Sequence, residues 1–392
     1  MMSPRSIGAG WVGVFAALML HVGTGAVANA ATVRLINRDG AREGFNDQTP
    51  AQPVGGNTGT TLGEQRLIAF QHAVDLWAAA LDSAVEIRIS ASFDPLPCNA
   101  SVVTLGAAGP INVFRDFAGA PLANTYYASA LADRLAATDL APDEDDIEAN
   151  FNSRFGTSCT FPAGWYYGLD GNVPGDDSDL VTVVLHELGH GMGFLTLVDV
   201  ETGERFDNRD DVFMTFLVDD RSGETFPEMT NAERRSASRA SGHLRWDSPA
   251  VAGASDRLQH GADANGRVAM YAPPSVSAGS SVSHWDDGLV PDELMEPYFT
   301  QPVHDIGLAA EALADMGWSA PPPGGCQVDC NGDVHVGIDE LITAVRIALG
   351  ELPLSSCTAA DSNESGSVEV DELVVGVSRA LEGCAAAVVA DD

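Results

Sequence analysis

Apolar residues recur at helical spacing in three stretches of the chain before Pro321 and at strand spacing in shorter ones. Leu67, Phe70, Ala73, Val74, Trp77 and Leu81 predict a helix over Thr61–Leu81, and Val85–Ser90 alternates as a strand. Ile111–Phe114 and Trp165–Tyr167 are shorter strand candidates. Val181, Val184, Leu185, Leu188 and Met192 form the apolar stripe of a second helix, and a third is predicted over Ile306–Met316. Between the last two lies a polar section of mixed charge, Val198–Ser283, whose pattern favours neither helix nor strand.

The second helix carries the chemistry. Asp176, Asp177, Ser178 and Asp179 supply cap candidates and first-turn acids at its start. His186 and His190, four residues apart, fall on the face opposite the apolar stripe, where two imidazoles can reach one metal ion. Glu187 lies about a hundred degrees round the helix from His186, placed to act as a general base. The sequence from His186 to His190 is thus the H-E-x-x-H arrangement of zinc peptidases. Gly189 in mid-helix costs on the order of 1 kcal/mol relative to Ala, and Gly191 and Gly193 predict an end near Gly193. A buried helix whose histidines only form hydrogen bonds is the plainer alternative.

Length and composition set the frame. The chain has 392 residues, 45 % of them hydrophobic, enough for two or three domains with a sizeable core. Arg5, an apolar run from Trp11 to Leu20 and Ala28-Asn29-Ala30 have the three-part form of a secretory signal over residues 1–30. No later apolar run approaches the roughly 20 residues of a membrane span, so a secreted product is expected. Twenty Lys plus Arg against 56 Asp plus Glu give a net charge of −36, which argues against nucleic acid or anionic lipid as a partner. Six cysteines, Cys98, Cys159, Cys326, Cys330, Cys357 and Cys384, predict disulfides, with Cys98 and Cys159 the pair expected in the larger domain. The four tail cysteines leave three connectivities open.

The expected organisation is one mixed α/β domain of the α+β kind over 31–319, with an inserted section at about 197–283. A Pro/Gly linker follows at 320–325, then a small all-α module over 326–384 and a short tail, 385–392. The module is an internal repeat with an offset of 32 residues. Asp329, Asn331, Asp333 and Glu340 in the first copy, and Asp361, Asn363, Ser365 and Glu372 in the second, stand at positions 1, 3, 5 and 12 of a loop of the EF-hand type. Calcium is the cofactor this spacing predicts. Val334 replaces the usual turn glycine of the first loop, whereas Gly366 supplies it in the second.

A catalytic zinc needs a third protein ligand. His243, His260, His284 and His304 are the downstream candidates. Glu233, in Asn231-Ala232-Glu233-Arg234-Arg235-Ser236, is a rival, since that segment resembles the helix that supplies a glutamate ligand in thermolysin-like enzymes.

Gly193-Phe194 after the second histidine, then the long insertion, then Ser283-His284-Trp285-Asp286 and Glu293-Leu294-Met295-Glu296-Pro297 resemble leishmanolysin-type metzincins and their bacterial relatives. The resemblance covers about Asp179 to Trp318, with a gap across the insertion. It implies His284 as third ligand and Met295 as the methionine of a tight turn beneath the metal. Thr196 stands where the short metzincin pattern has its third histidine. Tyr298, three residues after Met295, is a candidate for stabilising the oxyanion. The tail resembles a dockerin, which implies docking to a cohesin-like or cell-surface partner; its cysteines depart from the usual dockerin. The activity so implied is a zinc endopeptidase acting on protein or peptide substrates, with Glu187 as base. The competing expectation is a surface adhesion protein on the same scaffold, its zinc kept for structure.

Overall fold

The computed structural model describes residues 31–318 throughout and, beyond them, 328, 330, 336–361, 367–370, 372, 373, 376, 377 and 380. The signal segment expected at 1–30, the linker at 320–325 and the tail at 385–392 lie outside the described residues. In chain order the elements are β1 (Val33–Asn37), α1 (Leu62–Ala80), β2 (Ile87–Asp94), β3 (Gly106–Pro110), β4 (Val113–Phe114), β5 (Thr125–Ala128), α2 (Ser129–Ala136) and β6 (Ile147–Asn152). They continue with β7 (Trp165–Tyr166), β8 (Ser178–Asp179), α3 (Leu180–Gly191), β9 (Asp210–Asp211), β10 (Leu217–Asp219), α4 (Asn231–Ala237) and β11 (Leu244–Trp246). Last come α5 (Pro249–Ala254), β12 (Val268–Ala269), α6 (Leu308–Met316) and α7 (Ile338–Ala348). The chain is therefore mixed α/β with several sheets and, among the described residues, seven α-helices, as an α+β protein requires.

The principal sheet has the order β1-β2-β6-β3, with β1, β2 and β6 parallel and β3 antiparallel at one edge. Ile87, Ile89, Ala91 and Phe93 of β2 and Ile147, Ala149 and Phe151 of β6 are buried, as expected of strands in mid-sheet. Helix α1 begins where Thr61 accepts a hydrogen bond from the Glu64 amide while the Glu64 carboxylate accepts from the Thr61 amide, a reciprocal cap. Its apolar face, Phe70, Ala73, Val74 and Trp77, is buried, and the Trp77 indole N–H donates to the Leu185 carbonyl at 2.9 Å. Thus α1 is fastened directly to α3.

Helix α3 starts at Asp179, whose carboxylate accepts from the Thr182 amide and hydroxyl. Only this last of the predicted cap residues does the work; Asp177 instead accepts from the Gly164 amide. The helix stops at Gly191, two residues before the expected end, and Gly193 takes the left-handed conformation, φ +117°, that turns the chain away. Contact explains the glycines at positions 189 and 191. A Cβ on Gly189 would stand 2.6 Å from the Met295 sulfur, and one on Gly191 2.5 Å from Ile147 Cγ2. Both glycines let neighbouring residues lie against the helix backbone.

The polar section predicted to be featureless is folded. It supplies β9, the antiparallel sheet β10-β11-β12, α4 and α5, and its Leu217, Phe226, Leu244, Trp246 and Val268 join the main core. Trp246 lies edge-on to Phe213 (4.8 Å between centroids) and Trp285 (5.9 Å), while Phe194 meets Phe213 (5.1 Å) and Trp285 (5.0 Å). Phe194 precedes the insertion and Trp285 follows it, so this aromatic cluster holds its two ends together. Buried Arg234 donates to the carbonyls of Gly203, Phe226 and Met229 and to the Asn231 side chain, satisfying backbone groups a strand ladder would otherwise pair.

Cys98 and Cys159 form a disulfide across a separation of 61 residues, as expected. In the tail, Cys330 pairs with Cys357, which selects one pairing among those left open; Cys326 and Cys384 lie outside the described residues. Val328, Val336, Ala344, Ile347, Ala360 and Val368 form a separate small core there. The disulfides fit an oxidising, extracellular setting. Among the described residues no helix is long and apolar enough to cross a membrane.

Candidate metal centre

His186 and His190 project from α3, and His284 returns to them across the insertion. The Nε2 atoms of His186 and His284 are 3.1 Å apart, and those of His190 and His284 3.2 Å. Each ring turns its other nitrogen to a backbone carbonyl. Nδ1 of His186 donates to Leu294 at 2.7 Å, of His190 to Phe194 at 2.8 Å and of His284 to Ser280 at 2.8 Å. With Nδ1 spent as a donor, Nε2 carries the lone pair in all three. Burial pushes the three imidazoles toward the neutral form, His190 down to about 3 with the charge of His186 adding to the effect. Three unprotonated nitrogens pointing at one another have no hydrogen-bonding reason to converge. They do have a metal-binding one, and the trio could hold a metal ion.

The spacing tests the fit. Two nitrogens each about 2.05 Å from a tetrahedral zinc stand about 3.3 Å apart. The observed separations match that to within a few tenths of an ångström. The carbonyl partners are also what orients a metal-ligating histidine and fixes its tautomer.

The other predicted residues fall around this centre. Glu187 is buried beside it, and burial pushes its carboxyl up to about 8, opposed by a hydrogen bond from the Ala108 amide of β3. Gly106 on the same strand is so near that a Cβ would meet Glu187 Cγ at 2.9 Å. Met295 is wholly buried against Gly189, in a turn closed by the Glu296 amide on the Glu293 carbonyl and the Glu293 amide on the Glu296 carboxylate. The Trp285 amide donates to the Met295 carbonyl at 2.9 Å, joining the third histidine's segment to that turn. Tyr298 is 54 % exposed, and its hydroxyl pairs with Tyr271 at 2.8 Å.

Glu233 is no ligand. Its carboxylate accepts from the Thr230 amide and hydroxyl and closes the cap of α4. The segment is a capping box, with Thr230 as the N-cap and Glu233 in the first turn of α4. His304 bonds the buried Asp179 carboxylate at 2.7 Å, His243 bonds Asp220, and His260 bonds the Gly288 carbonyl.

Of the tail residues predicted to bind calcium, Asp329, Asn331, Asp333, Asn363 and Ser365 lie outside the described residues. Glu340, Asp361 and Glu372 are buried. The Glu340 carboxylate accepts from the amides of Cys330 and Gly337, and Glu372 from that of Glu369.

Sequence reasoning did not find the carbonyls of Leu294, Phe194 and Ser280 or the amide of Ala108. These are backbone groups and leave no mark in residue identity. Compared with known proteins, the chain matches no family model, no curated protein and no solved structure.

Proposed function

We propose that the chain is a secreted zinc-dependent endopeptidase of metzincin type, with His186, His190 and His284 as ligands and Glu187 as general base. One observation carries the reading: three buried imidazoles present bare Nε2 atoms at zinc spacing beside a buried carboxylate. A zinc ion there would supply a Lewis acid at neutral pH. Glu187 would take a proton from the attacking water and give it to the leaving amine nitrogen. The Ala108 amide keeps that carboxylate aimed.

The same amide supports a peptide as substrate. Among the described residues strand β3 pairs only with β6, and Ala108 turns its N–H away from that partner toward Glu187, so the free edge of the sheet faces the site. An extended peptide laid along β3 would gain main-chain hydrogen bonds and bring a scissile bond to Glu187. Met295 beneath Gly189 supports the metzincin reading, because it is a turn, and not a helix, that floors the site.

The test is Glu187→Ala in the purified full chain. Bound zinc is expected to stay at one equivalent while cleavage of an unfolded protein falls by at least about 10²-fold. Undiminished cleavage would sink the mechanism. Zinc binding with no cleavage by the wild type favours the adhesion reading instead.

For the tail we propose two calcium loops and a docking role. Ile338 (77 % exposed), Ile342, Val345 and Leu349 lie along one face of α7, and Val370 (76 %) and Val377 are the equivalents of Ile338 and Val345 in the second copy. A repeated apolar stripe in an acidic chain supports contact with a cohesin-like or cell-surface partner.

A further inference from the structure

Thr196 occupies a position where the chain leaves the metal helix, and its contacts lead away from that helix in two directions. Its amide donates to the Ser283 hydroxyl at 3.1 Å, and Ser283 immediately precedes the third histidine. Its own hydroxyl donates to Asp211 Oδ2 at 2.9 Å, and the same oxygen accepts from the Leu197 amide at 2.8 Å. The other oxygen, Oδ1, accepts from the Met214 amide at 2.7 Å.

Asp211 is 4 % exposed, and burial pushes its carboxyl up to about 6 against the pull of the Met214 and Leu197 amides. A carboxylate is placed there at a cost, and the donor count explains it. Three donors approach two oxygens, and an asparagine would turn an NH2 group toward at least one of them. Asp211 is also anchored from behind, since Tyr126 of β5 pairs with it in β9.

We propose that Asp211, acting through Thr196 and Ser283, is a positioning residue for His284: the inserted section returns a buried carboxylate to the end of the metal helix and thereby seats the third ligand. The chain of contacts is short. Asp211 fixes the backbone at Thr196 and Leu197, Thr196 fixes Ser283, and His284 follows with its Nδ1 held by Ser280. The Phe194 carbonyl that orients His190 lies two residues before Thr196, so the same segment serves the second and third ligands. This inference rests on the three histidines being a metal centre.

The test uses the full chain loaded with Co2+, whose visible absorption reports coordination. Ser283→Ala, Thr196→Val and Asp211→Asn are each expected to raise the Co2+ dissociation constant roughly ten- to hundredfold. Their spectra should move toward that of His284→Ala, and Thr196→Ser should restore both readings. A merely structural role would lower the melting temperature of the metal-free protein and leave affinity and spectrum alone. If Asp211→Asn fails to fold, the single-hydroxyl variants Ser283→Ala and Thr196→Val decide the matter. Wild-type affinity and spectrum in those variants would overturn the proposal. A wild-type chain that takes up no Co2+ would overturn the metal centre with it, a different and separable failure.

Discussion

Gly191 shows how a single missing side chain sets the position of α3. Alanine would favour the helix by about 1 kcal/mol, but its Cβ would fall 2.5 Å from Cγ2 of the fully buried Ile147 in β6. Overpacking of that kind typically costs about 1–3 kcal/mol. Gly191→Ala is therefore expected to lower stability, by up to about 2 kcal/mol in urea unfolding. Gly109 is a control, because a Cβ there meets nothing within 4 Å. Gly109→Ala should stay within about 0.5 kcal/mol of the wild type. Equal stabilities for Gly191→Ala and the wild type would show that α3 can shift from β6 without penalty. Gly189 and Gly191 were both visible in the sequence as helix weaknesses. What they make room for was not, since Ile147 and Met295 lie far away along the chain.

At the scale of elements, α2 meets the residue that leads into β6 through two acids. Asp133 of α2 accepts from the Leu140 amide and faces Asp146, whose carboxylate accepts from the Arg88 amide. Burial, then the neighbouring Asp146 charge, pushes the Asp133 carboxyl up to about 7. A folded-state value above the unfolded 3.8 means that the folded protein holds a proton that the unfolded chain releases. The stability this proton provides is present in acid and is lost as the pH rises from about 4 to about 7. Asp133→Asn removes the titration while keeping an oxygen for the Leu140 amide. The variant should show a flatter dependence of melting temperature on pH over that window and melt above the wild type at pH 8. Parallel profiles would contradict the assignment. Helices α1, α3 and α6 were legible in the pattern because each has a long apolar stripe. Strands β1, β3 and β6 were not; Gly106-Ala107-Ala108-Gly109-Pro110, for one, has no alternation, and only its pairing with β6 makes it a strand.

For the whole molecule, the net charge of −36 and the acidic tail belong together. Two bound calcium ions would offset carboxylate repulsion in the tail and order it. Titration calorimetry on the zinc-loaded chain is expected to find two calcium sites, with Glu340→Gln and Glu372→Gln each removing one. A wild-type chain that takes up no calcium would refute the loop reading.

The sequence by itself determined the elements and the chemistry that short spacing encodes. Two histidines and a glutamate within five residues of a helix can be placed on its surface by geometry alone. It also carried the Cys98–Cys159 pair. The third histidine was one candidate among several, and Glu233 was a rival, because a gap of 94 residues fixes no distance. Tertiary packing decided it. Trp246 binds Phe194 to Trp285 in one aromatic core, Asp211 ties the insertion to the end of α3, and His284 lies beside His186 and His190. Local pattern determines which face a residue takes, but which faces meet is a property of close packing over the whole chain.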